Sequence, residues 1–501
     1  MASPSKIIIK LLDNSLYCPK SENGDKGKPW YAKDLPDNLV REKGRRGVND
    51  MYDFINQIND RTIDELKSDE GGILVWPHSF KEGKDEPAQM TILNCKFDNN
   101  RNILSLSTGN LVGFIGEGKV QIEINSRFSS GEDNGVQDYF LYHMLAKVFH
   151  ANIVNMEVGA GSLKDLNLLI FMFPRLLKEA FIQGMFKQYI KKEYNDCNIR
   201  GTIDINRHIR HNYPTNGRIA YRTREFSYDN NITQLVRHTI EYMIRLPMGR
   251  ALLNGSKETE ALVRMIIQST PTYSKNKRLQ VIADNRRPVN HPYYIKYKAL
   301  QRLCLAILRQ EQISHGAQEN KVNGLLIDVA WLWEEYVAVV LSENSTGFKH
   351  YTNKNAFPLF VNENDKRFQN IIPDYLHEEE KSVRRYIVAD AKYIPLHRYE
   401  HLDAERAASV YYKTIMYMYR FHTNLGFLFH PCNNNDVTEM EKIQNYKRED
   451  NMITCDYRIA NDKDCHLHEI GFIVPKSDDK FKENMVAVEK AFARKILQYQ
   501  I

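Results

Sequence analysis

Two short segments carry the residue types that phosphodiester hydrolysis needs. One reads Ile371-Ile372-Pro373-Asp374-Tyr375, the other Tyr386-Ile387-Val388-Ala389-Asp390-Ala391-Lys392. Along a strand, residues i and i+2 project to the same side, so Asp390 and Lys392 stand together where an apolar run ends. If the segment ending at Asp374 pairs with that run as a hairpin, a second carboxylate reaches the same place. Two carboxylates suit Mg2+, with Mn2+ as a substitute, because such ions take a few carboxylate oxygens and leave the rest of the shell to water and phosphate. Asp374 and Asp390 are therefore the candidate metal ligands, with the backbone carbonyl of Ala391 as a further one. Lys392 would orient the attacking water or offset charge in the transition state. The competing reading is a lysine bridging two aspartates at a sheet edge, and an Asp-x-Lys triplet alone does not decide between them.

The elements that must hold these residues follow from periodicity. Strand-like segments at Asn370–Tyr375, Arg384–Asp390, Leu425–Phe429 and Glu469–Val474 alternate with helical patterns near Leu326–Leu341, Leu402–Phe421 and Phe481–Gln498. This predicts a C-terminal α/β domain over residues 316–501 with a central mixed sheet. Residues 131–315 read as mainly helical, with apolar spacing over Tyr139–Phe149 and Leu166–Tyr189. Residues 1–130 read as strand-rich, with apolar runs at Ile7–Leu12, Gly72–Trp76 and Val120–Ile124. The expected class is thus an α+β multidomain protein. The polar segment Asn14–Asn49 is expected to be an exposed loop, and its Arg41, Lys43, Arg45 and Arg46 to be a solvated face or a phosphate contact.

Composition narrows the field only slightly. A net charge of +6 over 501 residues permits a polyanionic partner without requiring one. The basic residues Lys275, Lys277, Arg278, Arg286 and Arg287 precede Tyr293, Tyr294, Lys296 and Lys298, so cations and aromatic rings interleave. Such a surface can neutralise phosphates and stack on bases; a plain basic loop is the alternative. The seven cysteines form no Cys-x-x-Cys pair, which points to a reducing cytoplasm. Cys455, Cys465, His466 and His468 match no standard zinc spacing. The start of the chain has no signal-peptide pattern and no apolar run is long enough to span a bilayer.

The catalytic set resembles that of the PD-(D/E)xK nuclease superfamily, in which an acidic residue on an early helix often completes the metal site. Here that residue is Glu334 in Leu332-Trp333-Glu334-Glu335, with Glu335 its equal by composition. A closer resemblance is to McrC, the nuclease subunit of McrBC-type modified-cytosine restriction systems. It is carried by Val112-Gly113-Phe114-Ile115, by Gly184 to Tyr189 followed by Ile199-Arg200-Gly201-Thr202-Ile203, and by Arg224 through Ile232. Leu332-Trp333-Glu334 is similar to a "Leu-Phe-Glu" helix motif, which favours Glu334 over Glu335, and Gly426 through Pro431 is similar to a late strand. The resemblance covers about residues 100–475. Where the family often has a glutamine four residues before a tyrosine, this chain has Lys413 and Tyr417, both candidate DNA contacts. The resemblance implies a DNA endonuclease subunit that works with, and stimulates, an AAA+ GTPase of the McrB type. No Gly-x4-Gly-Lys-Ser/Thr loop occurs in the chain, which fits energy coming from a partner. Two other readings stay open: a stand-alone nuclease of repair or mobile-element maintenance, and a non-enzymatic activator with a decayed site.

Overall fold

The computed structural model describes residues 7–20, 29, 31–39, 48–68, 72–78, 90–99, 102–130, 138–149, 168–214, 216–314, 323–351, 356–363, 366–380, 384–394, 396, 404–442, 445–460, 462–478 and 480–499. Arg41, Lys43, Arg45 and Arg46 lie outside them. The chain divides into two compact units. One comprises residues 1–148, 157–166 and 318–501, the other residues 149–156 and 167–317.

In the first unit the N-terminal residues build two sheets. One runs in the order Ile7–Leu12, Val120–Asn125, Leu111–Glu117, Asn323–Asp328, Gly72–Trp76. The other runs Lys33–Asp34, Leu16–Cys18, Ile103–Thr108, Leu93–Phe97. Short strands therefore occupy part of the segment expected to be a loop. Helix Val48–Ile58 covers them because Met51, Phe54, Ile55 and Ile58 recur at helical spacing and all are buried. Removing each such side chain from water contributes about 2 kcal/mol.

The strand Asn323–Asp328 departs from expectation. The pattern near Leu326 reads as the start of a helix, yet residues 323–328 pair with Leu111–Glu117 and Gly72–Trp76 on either side. The apolar run Leu325-Leu326-Ile327 is short enough to serve either state, and burial on both faces selects the strand. The helix begins at Val329, where the Asp328 carboxylate accepts the N–H groups of Ala330 and Trp331 at 3.0 and 3.2 Å. It runs to Glu343 and buries Val329, Leu332, Trp333, Tyr336, Val337, Val340 and Leu341. That stripe leaves Glu334 and Glu335 off the buried face.

The C-terminal residues form a seven-stranded mixed sheet in the order Phe348–His350, Tyr375–Glu380, Arg384–Ala391, Leu425–Cys432, His466–Ile473, Met452–Arg458, Tyr446–Glu449. The three central strands are parallel and their outer neighbours antiparallel. Helices cover both faces. Helix Ala404–Arg420 packs Val410, Tyr417 and Met418 against Val388, Leu428 and Leu467. Gly426 permits this approach, because a Cβ there would meet the Met418 sulfur at 2.6 Å. On the opposite face Trp333 meets Phe472, and Phe492 of helix Phe481–Tyr499 meets Phe429.

The second unit combines helices with a three-stranded antiparallel sheet that periodicity did not disclose: Thr202–Ile203, Ile219–Ser227 and Gln188–Asp196, in that order. The expected helix Leu166–Tyr189 ends at Phe181, and Gly184 turns the chain at φ 80° before the strand from Gln188. Asn230 caps helix Asn231–Met243 by accepting from Ile232 and Thr233, and donates back to the carbonyls of Phe186, Ser227 and Tyr228. Its segment thus serves the fold.

Candidate active site

Asp374 and Asp390 meet by a route slightly different from the expected hairpin. The strand that pairs with Arg384–Ala391 starts at Tyr375, opposite Ala389, rather than ending at Asp374. The preceding strand, Arg367–Ile371, pairs instead with Phe357–Val361 in a sheet of its own. Asp374 lies in the bend between them, one residue beyond the Tyr375–Ala389 pair, and Asp390 lies one residue beyond it on the other strand. The site sits at the C-terminal end of an interior strand and not on a lateral sheet edge, because Arg384–Ala391 has a neighbour on each side.

The hydrogen bonds fix this corner. Asp374 Oδ2 accepts the Ala391 N–H at 2.8 Å, and the Lys392 N–H reaches the Phe429 carbonyl at 2.7 Å. Asp390 is fully buried, and no backbone N–H of the described residues meets its carboxylate. Its compensation is an ion pair with the Lys392 ammonium, which also lies 3.9 Å from Asp374 Oδ2 and 3.3 Å from the Ala391 carbonyl.

Electrostatics separates the two carboxyls. Burial, then the charge of Asp390, holds Asp374 well above the usual carboxylate range. Burial also raises Asp390, but Lys392 and then Lys413 outweigh it and leave that group below its ordinary value. Two carboxyls this close are driven apart in pKa, Asp374 upward and Asp390 downward. Burial disfavours the charge of Lys392, yet Asp390 and Asp374 more than restore it, so the ammonium is retained.

The other sequence-derived residues surround this corner unevenly. The Glu334 charge is felt at Asp374, at Tyr417 and at Tyr375, where it outweighs that of Glu335. Glu334 approaches from the helix on the far face of the sheet, and its Oε1 is 2.9 Å from His350 Nε2. Tyr375 fixes the helix here, donating its hydroxyl to the Glu334 carbonyl at 2.5 Å. Tyr417 is buried and donates to the Ile372 carbonyl at 2.9 Å, and the Lys413 ammonium lies 5.5 Å from its ring centre. Lys275, Lys277, Arg278, Arg286 and Arg287 belong to the second unit; Arg278 is half-buried and the other four are exposed.

Two contributors escaped sequence reading. His350 meets Glu334 only because Phe348–His350 pairs with the strand starting at Tyr375. Arg127 is buried beside Tyr393, the residue after Lys392. Its guanidinium donates to the Tyr393 carbonyl, lies over the Tyr393 ring at 4.3 Å, and pairs with buried Asp13 at 3.7 Å. No spacing in the sequence joins Asp13, Arg127 and Tyr393.

Whether these residues fit a divalent cation turns on Asp390. A buried carboxylate met by a single lysine, beside a second carboxyl whose charge burial and that neighbour disfavour, is a set that a bound cation would relieve. Among the described residues no three His, Cys, Asp or Glu side chains are gathered closely enough to hold a metal by themselves. Mg2+ does not need three, since it commonly keeps several waters and takes one or two carboxylates. The set fits.

The fold and site define a multi-sheet α/β protein with two carboxylates and a lysine at the end of a central strand. Residues 106–431 match the model of the McrBC 5-methylcytosine restriction system component, and the chain belongs to that family. Among solved structures, a half-complex from a tetradecameric assembly of Thermococcus gammatolerans McrB AAA+ hexamers with bound McrC is similar over 99% of this chain and 100% of that one, at TM-score 0.44 and 13% identity. A chain of the Thermococcus gammatolerans McrBC complex is similar over 69% of this chain and 89% of that one, at TM-score 0.28 and 13% identity. No curated protein matches the chain. Among the described residues no helix is long and apolar enough to cross a membrane.

Proposed function

We propose that the chain is the Mg2+-dependent endodeoxyribonuclease subunit of a McrBC-type restriction or phage-defence complex, with a PD-(D/E)xK site at Asp374, Asp390 and Lys392. The observation that carries this reading is Asp390, fully buried, paired with the Lys392 ammonium and set beside a second buried carboxyl, Asp374. A purely structural salt bridge gains nothing from the second carboxylate, which raises the cost of burying the first. Asp374, Asp390 and the Ala391 carbonyl would hold the ion, and Glu334 would join once it leaves His350. Bound magnesium polarises a phosphate and lowers the pKa of a coordinated water. Lys392 keeps its proton on Nζ and offsets negative charge on the phosphate oxygens. Exposed Lys413 adds a second positive charge near Asp390, where the family often has a neutral glutamine.

The family and the resemblance extend the reading to the partner, an AAA+ GTPase of the McrB type that this chain stimulates and that supplies translocation. The test is the triple variant Asp374→Ala, Asp390→Ala, Lys392→Ala. It should lose DNA cleavage in the presence of the GTPase subunit while still binding that subunit and stimulating nucleotide hydrolysis. Undiminished cleavage by the triple variant would sink the assignment.

A further inference from the structure

The sheet of the second unit has two unlike faces. On one, Lys192 lies 2.9 Å from Glu225, and Tyr194 and Thr223 donate to the same carboxylate at 2.7 and 3.0 Å. Those hydrogen bonds, Lys192 first, hold Glu225 down to about 2. That face satisfies itself.

The other face does not. Tyr189 pairs directly with Phe226 across the strands, and Lys191 pairs directly with Arg224. All four side chains are exposed, the two rings by 60% and 50%. Like charges placed directly opposite one another repel. Among the described residues neither Lys191 nor Arg224 has a carboxylate within ion-pair distance, and the next acid along the face, Glu193, is already held by Arg207 and Arg222. The cations lie on the rings: Arg224 is 5.6 Å from the centre of Tyr189, and Lys187 is 4.8 Å from Phe226 and 4.6 Å from Tyr228. Beyond Lys187 the aromatic surface continues. Tyr294 packs on Phe186 at 4.8 Å and carries Tyr293, itself 60% exposed, edge-on at 5.0 Å. The basic and aromatic segment noted in the sequence thus joins the sheet face in space.

We propose that this face binds single-stranded nucleic acid, with bases stacked on Tyr189 and Phe226 and phosphates on Lys187, Lys191 and Arg224. An apolar protein partner would bury three cations without counter-charge, which is costly. A polyanion relieves the repulsion between Lys191 and Arg224 and releases counterions as it binds. Ring faces capture bases only when those bases are unstacked, which selects a single strand over a duplex. The surface is distinct from the carboxylate site and makes no use of a metal.

The test uses the full chain, a fluorescein-labelled 20-nucleotide oligodeoxythymidylate, and fluorescence anisotropy in EDTA across a salt series. Without metal no cleavage occurs, so failure here leaves the nuclease reading untouched. Tyr189→Ala with Phe226→Ala should weaken binding about tenfold or more while keeping the salt slope. Lys191→Glu with Arg224→Glu should weaken binding and lower that slope by about 0.7 for each phosphate no longer neutralised. Lys257→Glu with Arg264→Glu, on the exposed side of helix Lys257–Ser269, should change nothing. Circular dichroism checks that each variant is folded. Wild-type affinity in both test variants overturns the proposal. So does a preference for a 20-base-pair duplex, or protection of this face by a GTPase subunit with no oligonucleotide binding.

Discussion

Asp374 accepts the backbone N–H of Ala391 at 2.8 Å, so the first carboxylate is tied to the strand that carries the second. Charge and scaffold therefore share one side chain, and two substitutions separate them. Asp374→Asn keeps an acceptor for Ala391 and removes the charge; Asp374→Ala removes both. Each should lower cleavage by at least about 100-fold. Only the alanine variant should also lose about 1–3 kcal/mol of stability in EDTA, because it strands a partly buried N–H. Equal thermal stability of the two variants would refute the structural half of this account.

Lys392 gives Asp390 its ionic partner. Lys392→Met alone leaves a buried carboxylate without its cation and should cost about 3–5 kcal/mol. Adding Asp390→Asn removes the stranded charge, so the double variant should regain much of that loss while remaining inactive. Chemical denaturation of the four proteins completes the cycle. Strictly additive effects on stability would contradict direct coupling.

Glu334 is engaged by His350 at 2.9 Å and is electrostatically felt at Asp374. If this carboxylate completes a metal shell, the imidazole competes for it. His350→Ala should then lower the Mn2+ concentration for half-maximal cleavage several-fold, and Glu334→Gln should raise it. Indifference to Glu334→Gln would reduce this residue to a helix-surface position.

A different histidine should make the stability of the second unit depend on pH. His238 is fully buried against Tyr273, and among the described residues neither ring nitrogen has a hydrogen-bond partner. Burial, then Arg278 and Arg237, pushes its pKa down to about 4. Between about 6.5 and 4 the unfolded chain binds the proton that the folded one refuses, so stability falls as pH falls through that window. The loss should be on the order of 2 kcal/mol by pH 5. It should appear as faster amide exchange in helix Asn231–Met243, corrected for intrinsic rates, and should vanish in His238→Phe. An identical pH response in that variant would assign the effect elsewhere.

The meeting of Asp374, Asp390 and Lys392 was legible because it is local. Asp390 and Lys392 need only an i, i+2 relation, and an apolar strand ending in charge marks where burial stops. The mixed sheet and its flanking helices followed from periodicity for the same reason. Asn323–Asp328 was misread because three apolar residues carry no period, and only its two sheet neighbours decide its state. The long strands Gln188–Asp196 and Ile219–Ser227 were missed because both faces of that sheet carry polar residues, which hides the alternation. His350 and Arg127 act through contacts that join distant parts of the chain. Nothing near them in sequence names their partners, Glu334 and Tyr393.

The position of Asn323–Asp328 has a consequence for what can be severed. This strand sits between two partners of the N-terminal sheet and runs directly into the helix bearing Glu334. A fragment begun at residue 316 would keep Leu325, Leu326 and Ile327 but leave both edges of their strand open. Open apolar edges pair with whatever strand is nearest, which in a solution of such fragments is another copy. Cut free of its N-terminal sheet, the C-terminal half would be a self-associating species rather than a smaller monomer.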